Sequence, residues 1–218
     1  MSKYFSYFPK TYYSANNKTS SLDTVTNIIS RVKFEDALKQ NANAFYKYEI
    51  RDGDTPEIIA SKIYENPERH WIVLLFNDII DPQFDWPLDY KAFIDYVEAK
   101  YSANGAANTT VQSGLAWAQS DNNIHSYYKV VTTTNADDTF TTKKYEVDAN
   151  TYANVAATSN QYSLQSGETV TRAVTKETKT YYNYESEVNE AKRTINLLRP
   201  DLVIDVEREF KKVIKGNS

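Results

Sequence analysis

The residues best equipped for chemistry are few. The chain of 218 residues has two histidines, His70 and His125, and no cysteine. A Ser-His-Asp relay or a histidine metal centre would have to use one of them, and a zinc site needs more nitrogen or sulfur ligands than this inventory holds. His70 stands beside Trp71 at the start of an apolar block, where capping or packing is the expected role, and His125 adjoins a polar stretch, where exposure is expected. The carboxylates are Asp52 and Asp54 around Gly53, then Asp78, Asp81 and Asp85. Glycoside hydrolysis requires two carboxylates with opposed pKa shifts across a sugar-sized cleft. Here Asp54 reads as a helix cap and the later acids as turn formers. Asp52-Gly53-Asp54 lacks the spacing and terminal Glu of a calcium loop, and no glycine-rich phosphate loop is present. No catalytic, metal-binding or cofactor-binding residue is expected, and no enzyme.

The elements that position these residues follow from spacing. Tyr46, Tyr48 and Ile50 alternate with Phe45, Lys47 and Glu49, which predicts a strand. Arg51 to Thr55 supply a glycine turn and a cap, and Pro56 falls where its missing N–H costs nothing, so a helix starts there with Ile59, Ala60, Ile63 and Tyr64 inward. Asn66-Pro67 repeats the signal for a second helix, whose block Trp71 to Phe76 is apolar nearly all round and must be enclosed. Residues 81–87, including Trp86, read as a loop. Tyr90, Phe93, Ile94, Val97 and Tyr101 mark a third helix with Lys91, Asp95 and Glu98 outward.

Upstream, Tyr4, Phe5, Tyr7, Phe8, Tyr12 and Tyr13 make an aromatic arm over residues 1–20 that needs a docking surface on its own domain or a neighbour. Val25, Ile28, Ile29 and Val32 fit a short helix behind Asp23 or Thr24. Downstream, residues 105 to about 125 are small and polar and read as a mobile or exposed connection. Residues 128–132 and 139–145 flank Asn135 to Asp138 as a hairpin, and 169–182 is a third β-prone run. Tyr184, Val188 and Ala191 then face one side of a helix, Ile195 to Leu198 form a strand stopped by Pro200, and Val203, Val206, Phe210 and Val213 stripe a final helix with Glu207 and Lys211 paired outside.

Composition bounds the function class. A formal charge of −4 without a basic block leaves no electrostatic footprint for nucleic acid. The longest apolar run, Trp71 to Phe76, is far short of the ~20 residues that span a bilayer, and the aromatic start is interrupted by Ser, Lys and Pro, unlike a secretion signal. A chain of this size can bury roughly 70% of its unfolded surface. Its 18 tyrosines suit contact surfaces that are wet before assembly and dry after it, or simply tyrosine-rich strands.

Tyr48 to Pro56, continuing through two helices to Asn77-Asp78, resembles a LysM repeat, although the Gly-Gln-x-Leu-x-Ile-Pro strand that closes such a repeat is missing after Asn77. A longer resemblance covers roughly residues 1–100 and 181–218. Tyr4 to Pro9, Tyr48-Glu49-Ile50 with Gly53 to Glu57, Ile63 to Pro67 before the Trp71 block, Asp81-Pro82 before Trp86, and Tyr184-Glu185 with Asn189 to Arg193 resemble the LysM-like baseplate wedge subunit of contractile-tailed bacteriophages. The expected fold is α+β: a LysM-like strand-helix-helix core with a third helix, as the resemblance implies, an inserted small antiparallel β subdomain, read from the β-prone runs because the resemblance does not reach the Thr-rich middle, and a C-terminal strand-helix. These readings divide the chain into an N-terminal arm (1–20), a LysM-like core (21–104), a β-rich insertion (105–180) and a returning helix-strand-helix (181–218).

The function so implied is structural: clamping adjacent wedges around the hub in the virion tail baseplate, assembled in the host cytoplasm. Its partners would be other wedge subunits, the sheath-initiating subunit, neighbouring wedges of the six-fold assembly and, as a further candidate, the central hub. Tyr4, Phe5, Tyr7, Phe8, Tyr12 and Tyr13, then Asp52, Gly53, Asp54 and Trp86, are the expected interface residues, and removal of residues 1–13 should leave the fold intact. Two other readings stand beside it. One is a peptidoglycan-binding LysM module of a phage lytic protein, using the Gly53 turn; the other is host-surface adhesion by the Thr-rich middle.

Overall fold

The structure is a computed structural model and describes residues 4–14, 22–29, 32–107 and 112–216. The fold is α+β, and the chain forms two compact units, Met1–Asp89 with Glu190–Ser218, and Tyr90–Asn189. Sequence spacing placed the corresponding boundaries at 104/105 and 180/181. The difference arises because the third helix and the helix after residue 180 pack with the insertion.

Unit one opens on a 3-10 turn, Tyr4–Tyr7, and an antiparallel pair, β1 (Lys10–Tyr13) and β2 (Asp23–Thr26), in register from Lys10↔Thr26 to Tyr13↔Asp23. The helix expected over Val25 to Val32 does not form. Thr24, Val25 and Thr26 are β-branched, stiff at χ1 and suited to a strand, and the Asn27 side chain then accepts from the Ile29 amide to turn the chain. Residues 15–20 of the expected arm, and Ser30 and Arg31, lie outside the described residues.

Next come α1 (Asp36–Gln40) and β3 (Phe45–Glu49). Helix α2 (Pro56–Tyr64) starts as expected, with Thr55 Oγ accepting from the Ile58 amide at 3.3 Å. Asn66 caps a 3-10 turn, Pro67–Arg69, which leads into α3 (His70–Phe76), where Trp71, Ile72, Val73 and Phe76 are buried. The predicted loop at 81–87 contains one helical turn, α4 (Pro82–Asp85), capped by Asp81.

Unit two begins with α5 (Tyr90–Ala106), which buries Phe93, Val97, Tyr101 and Gly105. The stretch expected to be a mobile connection holds α6 (Gly114–Gln119), with Ala118 buried and Trp117 stacked on Tyr101 at 5.5 Å. Glu98, expected to face outward, accepts from the Gly114 and Leu115 amides at 3.1 and 2.8 Å and so caps α6. These hydrogen bonds, the Leu115 one foremost, hold its carboxyl below the usual range. Then follow β4 (Ile124–Thr134), β5 (Phe140–Val147), α7 (Ala149–Asn154), β6 (Thr158–Ser163), β7 (Thr169–Thr180) and α8 (Tyr181–Ala191). The four strands form one antiparallel sheet in the order β5-β4-β7-β6, and both edge strands are largely exposed. The expected hairpin is β4–β5.

Helix α8 faces the other way from its apolar spacing. Tyr184 and Val188 are partly exposed, while Glu185 and Asn189 are buried. Glu185 accepts from Tyr101 Oη and Lys100 Nζ, each at 2.7 Å, and from Tyr96 Oη at 3.3 Å. Burial pushes this carboxyl up, and the hydrogen bonds from Lys100 and Tyr101 with the Lys100 charge outweigh it, so the net shift is downward.

The chain returns to unit one as β8 (Thr194–Leu198), a 3-10 turn Pro200–Leu202, and α9 (Val203–Gly216). Strand β8 pairs antiparallel with β3, from Phe45↔Leu198 to Glu49↔Thr194. Strand β3 thus takes its partner from the C-terminal part of the chain. Asn77 covers the other edge of β8: its amide donates to the Asn196 carbonyl and accepts from the Asn196 amide, both at 2.8 Å. Ile59, Ile72, Leu197, Leu198 and Val203 form the driest part of the core, closed by Phe210 and Ile214. Glu207, expected to pair with Lys211, instead meets Arg69 Nε at 2.7 Å.

Candidate assembly interface

The aromatic arm divides into an anchor and a displayed part. Tyr4 stacks on Phe210 and lies over Trp71, both at 5.2 Å between ring centres, and Trp71 and Phe210 are themselves 4.7 Å apart. Phe8 is buried against this cluster, and Lys211 Nζ sits 4.7 Å from the centre of the Tyr7 ring. Burial pushes the Tyr4 hydroxyl pKa up. Tyr4, Tyr7 and Phe8 therefore close the core of unit one, so removal of residues 1–13 would strip core contacts rather than leave the fold untouched. Phe5, Tyr12 and Tyr13 are exposed at 57%, 74% and 60%. Tyr12 and Tyr13 sit on β1, in a two-stranded sheet whose every residue is exposed.

The Gly53 turn and the Trp86 segment meet. Gly53 has φ +84°, a left-handed conformation that side chains resist. Beside it the Asp54 carboxylate accepts from Lys62 Nζ at 2.6 Å, Tyr48 Oη at 2.8 Å and the Arg51 amide at 3.3 Å. Burial raises its pKa, but the Lys62 and Tyr48 hydrogen bonds prevail and hold it below the ordinary value. Trp86 donates its indole N–H to the Asp54 carbonyl at 3.0 Å. Asp52, half exposed, pairs with Arg193 at 2.9 Å. Arg193 also donates to the Ile50 and Leu88 carbonyls at 3.3 and 3.1 Å and to Glu190 at 2.9 Å.

Arg193 is thus the hub that fixes this corner. Spacing alone did not mark it; the available signal was its place in the Asn189 to Arg193 block. The Asp54 oxygens, held by Lys62, Tyr48 and the Arg51 amide, brace the turn from three sides.

Further apolar surface surrounds these elements. Ile28, expected on the inner stripe of a short helix, is largely exposed, as are Ile80 and Phe84, which the sequence did not single out. Tyr4, Phe5, Ile28 and Ile80 line a groove of about 530 Å³, and a second groove of about 650 Å³ shares Val32, Lys33 and Leu75 with it. His70 Nδ1 lies 3.0 Å from the Pro67 carbonyl at the start of α3, a local packing role. His125 stacks on Tyr184 at 3.7 Å and is partly covered rather than exposed. Among the described residues no group of three or more His, Asp or Glu side chains could hold a metal ion, and no helix is long and apolar enough to cross a membrane.

The model of a family described as base plate wedge protein 53 matches residues 3–213. The baseplate wedge protein gp53 of Enterobacteria phage T4 is 32% identical over 106 residues, covering 46% of this chain and 53% of that protein. The chain thus spans about half the length of the curated relative it matches.

Proposed function

Since the chain belongs to the base plate wedge protein 53 family, we propose that it is a non-enzymatic structural component of a phage tail baseplate that clamps adjacent wedges around the hub. The observation that carries this reading is the division of the arm: Tyr4 and Phe8 are held in the core while Tyr12 and Tyr13 stand exposed on a two-stranded sheet. A hairpin with both faces in water is marginally stable alone, and large exposed aromatics are characteristic anchors of protein interfaces.

The order of β3, α2, α3 and the antiparallel β8 supports reading unit one as LysM-like, closed late in the chain. The rigid corner of Asp52, Gly53, Asp54 and Trp86 is the second contact of the clamp. Other wedge subunits, the sheath-initiating subunit, neighbouring wedges and the hub are its partners, in a six-fold particle assembled in the host cytoplasm. Several modest contacts on one short chain reinforce one another through effective concentration.

The test is quantitative mass spectrometry of purified particles. The expected result is a copy number at a small multiple of six for the unaltered chain, and its loss for Tyr12→Ser with Tyr13→Ser, with unchanged circular dichroism. Absence of the unaltered chain from particles would overturn the reading; unchanged incorporation of the double variant would remove the arm from it.

A further inference from the structure

Helix α9 carries more apolar surface than its own unit covers. Val203, Phe210 and Ile214 are buried, but Val206 is only partly covered and Val213 stays 45% exposed. These two line the 650 Å³ groove together with Trp71 and Leu75 of α3, Val32 and Leu38. From Leu202 to Val213 the α9 wall is about three helical turns, ~16 Å at 1.5 Å per residue.

The lips of the groove are acidic. Asp205 and Glu209 stand one turn apart on α9, Glu35 also lines the groove, and Lys33 is the single base among the described lining residues. Lys33 is answered locally by Asp36 at 3.5 Å. Arg208 and Lys212 pair with Asp205 and Glu209 at 3.0 and 2.6 Å, but all four side chains are mostly exposed, and such pairs exchange partners at little cost.

Resting on the function proposed above, we infer that this groove receives a basic amphipathic helix of about three turns from another baseplate chain. Its apolar residues, spaced i, i+3 or i+4 and i+7, lie on Leu75, Val206 and Val213, and its flanking Lys or Arg residues meet Asp205, Glu209 and Glu35. A helix fits because the groove is walled by side chains of α9 and α3, with ridges for a third helix to interlock.

A photo-crosslinking amino acid placed at Val213, and as control at Ile204, which is 61% exposed on α9 but does not line the groove, tests this in assembled particles. Illumination and peptide mass spectrometry should give, from Val213 and not from Ile204, one cross-linked segment of another chain with helical apolar spacing and net positive charge. Cross-links only to this chain or to a second copy of it, to an acidic or unpatterned segment, or equally from both positions, would overturn the inference.

Asp205→Lys with Glu209→Lys should lower incorporation into particles tenfold or more, and Asp205→Asn with Glu209→Gln by less, with circular dichroism unchanged. Unchanged incorporation of the reversed variant would also overturn it. Particles that contain the chain without a Val213 cross-link defeat the groove alone, whereas particles lacking the unaltered chain defeat the proposed function and the groove with it.

Discussion

Each unit buries a carboxylate against a lysine and a tyrosine, but at different depths of its architecture. In unit one Asp54, with Lys62 and Tyr48, sits at a turn, outside a core made of Ile, Leu, Val and aromatic side chains. In unit two Glu185, with Lys100 and Tyr101, projects from the inward face of α8, beside the aromatic stack of Tyr101, Trp117 and Tyr181. The same three groups therefore do different work. Around Asp54 they brace an exposed turn beside a dry core, and around Glu185 they stand where apolar contacts would otherwise be. Unit one should be governed by packing volume and unit two by satisfied polar groups.

The largest expected effect tests the packing side. Leu197→Ala, at a fully buried position of β8, should cost about 3 kcal/mol through lost transfer energy and a cavity. A lower melting temperature with faster amide exchange along β3–β8 is the expected signature; an effect below about 1 kcal/mol would deny unit one its dense core.

Gly114→Ala comes next, because an added Cβ would lie 2.3 Å from the Glu98 carbonyl oxygen and force α5 and α6 apart. A loss of about 2 kcal/mol by chemical denaturation is expected.

Glu185→Gln keeps the shape and removes the charge that Lys100 and Tyr101 meet, at a cost of about 1.5 kcal/mol near neutral pH. The folded-state pKa of Glu185 lies below its ordinary 4.5, so its contribution is present above that value and is lost as pH falls through the folded pKa. Acid titration of stability should therefore be flatter in Glu185→Gln below pH 4.5. Parallel curves for the two proteins would break the contrast between the units.

The smallest effect, about 1 kcal/mol, is expected for Thr55→Ala, which removes the cap of α2 beside the Gly53 corner. Circular dichroism melting should detect it, with Thr55→Ser restoring most of the loss.

Legibility followed these same lines. The elements of unit one from Phe45 to Phe76 were readable because strand alternation, capping residues and the Trp71 to Phe76 block all point one way. The Val25 to Val32 spacing misled because a four-position apolar match also fits a strand of Thr24-Val25-Thr26 once a partner strand is present. Residues 105–125 misled for the opposite reason: α6 is short, and it is held by Glu98 and a close approach at Gly114, neither of which has a periodic signature. In α8 the apolar spacing of Tyr184 and Val188 pointed to the wrong face, because the partners that make Glu185 acceptable inside, Lys100 and Tyr101, come from elsewhere in the chain. Among the site residues, the aromatics were visible as a class, but their division into anchors and displayed rings was not.

The sequence by itself determined the α+β class, the turn at Gly53, the start of α2, the Asn66 cap and the family, since these rest on local conformational preference and on short ordered motifs; the cap at Asn66 opens a 3-10 turn, and α3 itself begins only at His70. Only the tertiary structure decided that β8 closes the sheet begun by β3, that Arg193 binds the Gly53 corner, and which rings of the arm remain in water. Those outcomes depend on pairing between residues more than a hundred positions apart, such as Ile50 and Arg193. No local spacing encodes them: a strand's open edge or an aromatic ring accepts many partners, and only the folded core selects one.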